Sequence, residues 1–248
     1  MDVIAERKNK TIYKDENTVV KLFEKDYSKA NILNEALNQA RVEENTNLNI
    51  PKLLEVKKYA SRWALTTEYI EGTTLDKLMI DNPEKQDEYL DMFVKLQLQI
   101  LGCKVPLLSR IKDKFKRKLT ETQIIDENIK YELLQRLEGM KDHTKLCHGD
   151  FNPSNVIVTP KGESYIIDWS HATQGNASAD AARTFLIFSM QKQEDVADKY
   201  LELFAKESGI DKSNIQRWIP IVAATQLTKQ NPDEEEFLRS WIDVLDFE

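Results

Sequence analysis

Two polar runs on either side of a short β-rich stretch constrain this chain most. The first is Cys147-His148-Gly149-Asp150-Phe151-Asn152-Pro153-Ser154-Asn155, and the second is Ile166-Ile167-Asp168-Trp169. Between them, residues 156–159 and 164–168 read as strands around the turn residues Pro160-Lys161-Gly162. A hairpin there turns the chain back on itself and brings Asn155 and Asp168 to one end of a strand pair.

The rest of the pattern divides into a β-rich beginning and a helical remainder. Residues 1–24 read as two strands, Thr11–Tyr13 and Thr18–Phe23, around the turn Asp15-Glu16-Asn17. Ser28 is the expected N-cap of a helix reaching about Glu44, with Leu33, Ala36, Leu37 and Ala40 as its apolar face. A second strand pair follows at Leu53–Val56 and Trp63–Thr67. Gly72, the first glycine of the chain, marks a hinge. Helices are expected near 74–80, 86–101, 107–121 and 127–140, with three or four more from about 180 to 247.

Composition bears on partners. The 248 residues carry a formal net charge of -7, which is poorly suited to tracking a phosphate backbone, so nucleic acid is not the expected partner. The basic run Lys112, Lys114, Lys116, Arg117 and Lys118 is interleaved with Asp113 and followed by Glu121 and Asp126, and reads as a solvated helix face. Cys103 and Cys147, with His143, His148 and His171, have no zinc spacing and form no disulfide framework. The N-terminus has no apolar signal core and no run approaches the length of a membrane span. A reducing, cytoplasmic setting without membrane attachment is the expectation.

Two carboxylates and an amide at these spacings suit phosphoryl transfer. That reaction needs a carboxylate facing the attacking hydroxyl and hard oxygen ligands on Mg²⁺. Asp150 suits the catalytic role, and Asn155 and Asp168 suit the metal.

In these residues the chain resembles the aminoglycoside phosphotransferase and choline kinase-like family, relatives of the protein kinases. His148, Gly149, Asp150 and Asn155 match the family's His-Gly-Asp-x-x-x-x-Asn element, and Ile167-Asp168-Trp169 its second element. Gly175 and Asp180 match the glycine and late aspartate that follow. The resemblance implies an α+β, bilobal protein-kinase-like fold. Residues 1–70 would form a small β-rich nucleotide-binding N-lobe, and residues 71–248 a larger, mainly helical C-lobe with the catalytic loop and acceptor site. It implies Lys21 on the nucleotide phosphates, oriented by Glu35 on the following helix. The stretch from Glu68 to Ile70 would bond adenine through its backbone, which does not separate ATP from GTP.

Several positions depart from the family pattern. No glycine precedes Gly72, so residues 6–11 stand where a glycine-rich phosphate loop is common, with Lys8, Lys10 or Thr11 as phosphate contacts. Ser170 and Asn176 replace acidic residues, and Asp180 is expected to tie the metal loop to its helix. Against a protein kinase, Gly149 precedes Asp150 where arginine is usual, and Trp169 follows Asp168 where phenylalanine is usual. The expected function is therefore Mg²⁺-dependent transfer from ATP to a hydroxyl of a small molecule such as an aminoglycoside, an amino alcohol or a sugar. A nucleotide-binding regulator or an atypical protein kinase is the alternative. Asp233-Glu234-Glu235-Glu236 with Asp243, Asp246 and Glu248 would suit a cationic acceptor, although the plainer reading is a solvated helix start. Trp218 and Trp241 read as packing residues, and oligomeric state is not legible.

Overall fold

The N-terminal sheet forms because short β-rich runs alternate with tight turns. In the computed structural model, which describes residues 1–242, these are β1 (Asp2–Arg7), β2 (Lys10–Asp15), β3 (Thr18–Phe23), β4 (Leu53–Tyr59) and β5 (Arg62–Glu68). They pair antiparallel in the order β1-β2-β3-β5-β4. The sequence reading counted two strands before residue 24, and the structure has three. Strand β1 lies at the sheet edge and is mostly exposed, so it lacks the burial alternation that makes a strand visible in sequence.

Helix α1 (Lys29–Asn45) crosses between β3 and β4, capped by the Ser28 side chain accepting from the Asn31 N–H. Its buried face differs from the expected one. Leu33 and Leu37 are exposed, while Ile32, Glu35, Ala36, Asn38, Gln39 and Val42 face inward. Buried polar side chains need partners, and these have them. Gln39 Nε2 donates to the Pro51 carbonyl at 2.6 Å, and Asn38 Nδ2 donates to the Ser170 carbonyl at 3.2 Å. Phe23, Ile32, Ala36 and Leu65 form the core beneath, with Tyr27, Leu53, Val56 and Trp63 against it.

Strand β6 (Thr73–Thr74) leads into α2 (Leu75–Asp81). It then pairs with β8 (Val156–Val158), which pairs with β9 (Ser164–Ile166). Gly72 permits this: a Cβ there would collide with the Val158 carbonyl and lie 2.7 Å from the Ile157 side chain.

The helical part contains α3 (Gln86–Gly102), α4 (Ile111–Glu121), α5 (Glu127–Gly139), α6 (Ala177–Met190), α7 (Glu194–Ser208), α8 (Lys212–Gln216), α9 (Ile219–Leu227) and α10 (Pro232–Ser240). Five helices follow residue 176 among the described residues, against the three or four expected, because short α8 is a separate turn before Pro220 starts α9. A two-stranded pair, β7 (Lys145–Cys147) with β10 (Thr173–Gly175), was not foreseen beyond the hairpin. Three residues each give too little pattern to read. Phe93, Phe151, Phe188, Tyr200 and Phe204 form an aromatic core, with Phe93 and Phe151 stacked at 4.3 Å. No helix among the described residues is long and apolar enough to cross a membrane.

By packing the chain forms two compact units. One is Met1–Gln86 with Pro153–His171, and the other is Asp87–Asn152 with the described residues from Ala172 onward. Residues 71–86 and the hairpin pack with the N-terminal sheet, through the β6–β8 pairing and a bond from the Ile166 N–H to the Asn49 carbonyl at 2.9 Å.

Candidate active site

In the first unit, β3, α1 and the end of β9 bring opposite charges together. Lys21 Nζ lies 2.6 Å from Glu35 Oε1 and 3.6 Å from Asp168 Oδ1. Lys10, from β2, lies 3.4 Å from Glu35 Oε1 and 4.0 Å from Asp168 Oδ2. Burial alone would lower the Lys21 pKa, but the Asp168 and Glu35 carboxylates outweigh it and push the ammonium above its ordinary value. Burial likewise opposes ionisation of Asp168. Lys21 and then Lys10 outweigh that, and hold its carboxyl well below the usual range.

Asp168 has a positive φ of 61°, a conformation short polar residues tolerate and β-branched ones do not. Its Oδ1 is buried and accepts no hydrogen bond. Asn155 closes the same end of the hairpin, its carbonyl accepting from the Ile167 N–H at 2.9 Å. Trp169 is fully buried, and its Nε1 donates to the Ile166 carbonyl at 3.1 Å.

At the end of β5, the Glu68 N–H donates to the Lys52 carbonyl and the Tyr69 N–H to the Asn17 carbonyl, both at 2.9 Å. The Ile70 N–H has no acceptor among the described residues.

In the second unit, the loop carrying Asp150 is held on both sides. Gly149, at φ 79°, donates its N–H to Asp180 Oδ1 at 2.7 Å. Asp180 Oδ2 accepts from Gln97 Nε2, whose amide oxygen accepts from the Tyr200 hydroxyl at 2.6 Å. Beyond Asp150, the Phe151 carbonyl accepts from Thr184 Oγ1 at 2.8 Å. Asp180 thus ties the Asp150 loop to α6, rather than the metal loop as expected from sequence. Burial raises its pKa, against the donor from Gly149. His148 is fully buried, and its Nδ1 accepts from the Asp150 N–H at 3.3 Å. Arg183 Nη2 donates to Asp150 Oδ1 at 2.9 Å. Asn176, the departure after Gly175, caps α6 by accepting from the Ser178 N–H at 2.9 Å, as an aspartate would.

A family model described as the phosphotransferase enzyme family matches residues 5–213. This chain belongs to that family. No curated protein sequence matches the phosphotransferase. Among solved structures, a thermostable mutant of aminoglycoside phosphotransferase APH(4)-Ia in ternary complex with ADP and hygromycin B has a TM-score of 0.73. Its identity is 14%, over 98% of this chain and 92% of that one. Choline kinase LicA from Streptococcus pneumoniae has a TM-score of 0.64 and 18% identity, over 96% and 90% of the two chains. The GDP complex of a mutant aminoglycoside 2′-phosphotransferase-IIIa has 0.62 and 13%, over 98% and 89%. The phosphotransferase therefore has the bilobal protein-kinase-like fold, with an antiparallel N-terminal sheet and a mainly helical C-terminal part.

No sequence signal marks Arg183, and Lys10 is one of three candidate phosphate contacts in the glycine-poor turn. The basic run is a solvated face only in part. Lys116 and Arg117 are exposed, as a solvated face requires, but Lys114 and Lys118 are half-buried. Their spacing of four residues was the available signal, since it puts both on one face of α4. Among the late acids, Glu234 accepts from Asn231 and Gln226, and Glu235 pairs with Arg239. Asp243, Asp246 and Glu248 lie outside the described residues.

Proposed function

We propose that this phosphotransferase moves the γ-phosphoryl group of ATP onto a hydroxyl of a small molecule, with Mg²⁺. The support given to Asp150 carries the reading: its loop is bonded at Gly149, at Phe151 and at its own carboxylate. Such a carboxylate aligns an acceptor hydroxyl. The hydroxyl oxygen bonds to the γ-phosphorus, the bond to the bridging oxygen breaks, and ADP leaves. The hydroxyl proton passes to Asp150. Arg183 holds the Asp150 carboxylate in place, and a loose transition state in which the proton leaves late asks the carboxylate chiefly to orient the hydroxyl.

Asp168 and Asn155 would hold Mg²⁺. Both offer hard oxygens at one hairpin end, and the buried, unbonded Asp168 Oδ1 fits a cation. The ion would neutralise phosphate charge. Lys21, kept protonated and oriented by Glu35, would contact the nucleotide phosphates, with Lys10 beside it. Adenine would bond the backbone of Glu68 and Ile70, where the Ile70 N–H is available. The ADP bound in one similar structure favours ATP, and the GDP in another keeps GTP as the comparison donor. The missing glycines of residues 6–11 favour a regulatory alternative, against which Lys10 supplies a cation from the strand that follows that turn.

The test is Mg²⁺-dependent ADP release with pooled acceptors, run beside Asp150→Asn. Release from one pool, lost in the variant with nucleotide binding kept, is the expected result. Equal release from both proteins overturns the assignment of Asp150.

A further inference from the structure

Helix α3 turns an apolar row inward, made of Leu90, Phe93, Val94, Leu96, Ile100 and Leu101. One polar residue interrupts it: Gln97, which is fully buried. A buried amide is unfavourable unless its N–H groups and carbonyl are bonded. Gln97 Nε2 donates to Asp180 Oδ2 and to Thr184 Oγ1, each at 3.2 Å, and its Oε1 accepts from the Tyr200 hydroxyl at 2.6 Å. Asp180 and Thr184 stand one turn apart on α6, so a single side chain from α3 reaches both. All three partners are themselves buried.

Both α6 partners continue to the loop of Asp150, one on each side of it. Asp180 Oδ1 accepts from the Gly149 N–H at 2.7 Å, and Thr184 Oγ1 donates to the Phe151 carbonyl at 2.8 Å. The directions of these bonds are forced. The Phe151 carbonyl can only accept, so Thr184 gives its proton there and must accept from Gln97. Gln97 therefore turns Nε2 toward α6 and Oε1 toward Tyr200. This point needs two N–H groups and one carbonyl, which glutamine supplies and glutamate, methionine and leucine do not. An apolar side chain would suit the neighbouring Phe93 and Phe188 without desolvating any polar group. A fully bonded polar network in such a core fixes one geometry instead.

We infer that Gln97 is a positioning residue for phosphoryl transfer. Oriented by Tyr200, it holds Asp180 and Thr184 together and so sets Asp150 from both sides. This rests on the reading of Asp150 as the residue that meets the acceptor hydroxyl. Gln97 acts on turnover through the backbone at Gly149 and Phe151.

The experiment compares the full chain as wild type, Gln97→Met, Gln97→Glu and Tyr200→Phe. Phe204→Leu is the packing control, since buried Phe204 lies against the Tyr200 ring outside the hydrogen-bonded chain. The first arm is amide hydrogen exchange. In Gln97→Met, exchange at residues 148–151 should be about ten-fold faster or more, with the N-terminal sheet unchanged. The second arm is steady-state ADP release with the acceptor found by the pooled assay. In Gln97→Met, kcat should fall about ten-fold or more while the KM values for ATP and acceptor move less than about two-fold. Gln97→Glu adds a pH signature. Ionised, the new carboxylate has no proton for Thr184 and faces Asp180; protonated, it can donate one bond. Its kcat should fall as pH rises, along a limb that wild type and Gln97→Met lack.

Unchanged exchange at residues 148–151 in Gln97→Met overturns the inference. So does an equal loss of kcat in Phe204→Leu, a rise in KM in place of the loss of kcat, or a Gln97→Glu profile parallel to wild type. If no acceptor reacts, the exchange arm decides by itself. If Gln97→Met does not fold, Tyr200→Phe, which removes a single hydroxyl, carries both arms. Full turnover in Asp150→Asn would instead count against the reading of Asp150, and leaves the exchange result standing.

Discussion

At the residue scale, the two carboxylates of the site are treated differently by their surroundings. Asp150 is partly exposed, and Arg183 holds its carboxylate. Replacing it with asparagine keeps the shape and removes the acceptor of the proton. Turnover in Asp150→Asn should fall about 10²–10⁴-fold, with nucleotide affinity little changed by equilibrium titration. Asp168 sits between Lys21 and Lys10, and its pKa in the folded protein is depressed. Its unfolded value is about 3.9, so its contribution to stability is complete above that pH and is lost as pH falls toward the depressed folded value. Asp168→Asn, which tolerates the same positive φ, should show a shallower loss of stability below about pH 4 than wild type in acid titrations followed by circular dichroism. Identical slopes would mean that the ion pairs contribute nothing to folding.

At the element scale, β6 and α4 each have a side-chain requirement that follows from position. Gly72→Ala would drive a methyl group into the Val158 backbone. The strand must shift, and we expect about 1–3 kcal/mol of destabilisation in urea unfolding. Helix α4 behaves oppositely. Lys118 has a folded pKa lowered to about 8, so below that pH it is charged in both states and its burial near Lys229, Arg183 and Arg117 is destabilising. Between about pH 8 and 10.4 the unfolded chain binds more protons, and stability rises with pH. Lys118→Met should therefore raise Tm at pH 7, by roughly 2–4 °C for each kcal/mol relieved, and the gain should shrink above pH 8.

At the scale of the whole molecule, the candidate groups separate by unit. Lys21, Glu35, Asn155 and Asp168 belong to one, and Asp150 and Arg183 to the other. Substitutions in the first should move nucleotide affinity, and those in the second turnover and acceptor affinity. Mg²⁺-ATP at a hundred times its Kd should stabilise the protein by about 2.7 kcal/mol in thermal unfolding. Chelation of the metal, or Asp168→Ala, should remove most of that. Undiminished stabilisation after either treatment would remove Asp168 as a metal ligand.

The sequence by itself determined the local parts. The polar runs around residues 147–169, the hairpin between them, the cap at Ser28 and the order of strands and helices follow from short-range pattern and turn chemistry. Only the tertiary structure decided which face of α1 turns inward. Leu33 and Leu37 look like core residues by period, yet Glu35, Asn38 and Gln39 are buried because distant partners satisfy them. The same holds for Arg183 against Asp150, and for Lys118 against the Thr225 carbonyl of α9. Periodicity reports which residues share a face, whereas burial of a charge depends on groups far away in the chain that no local pattern encodes.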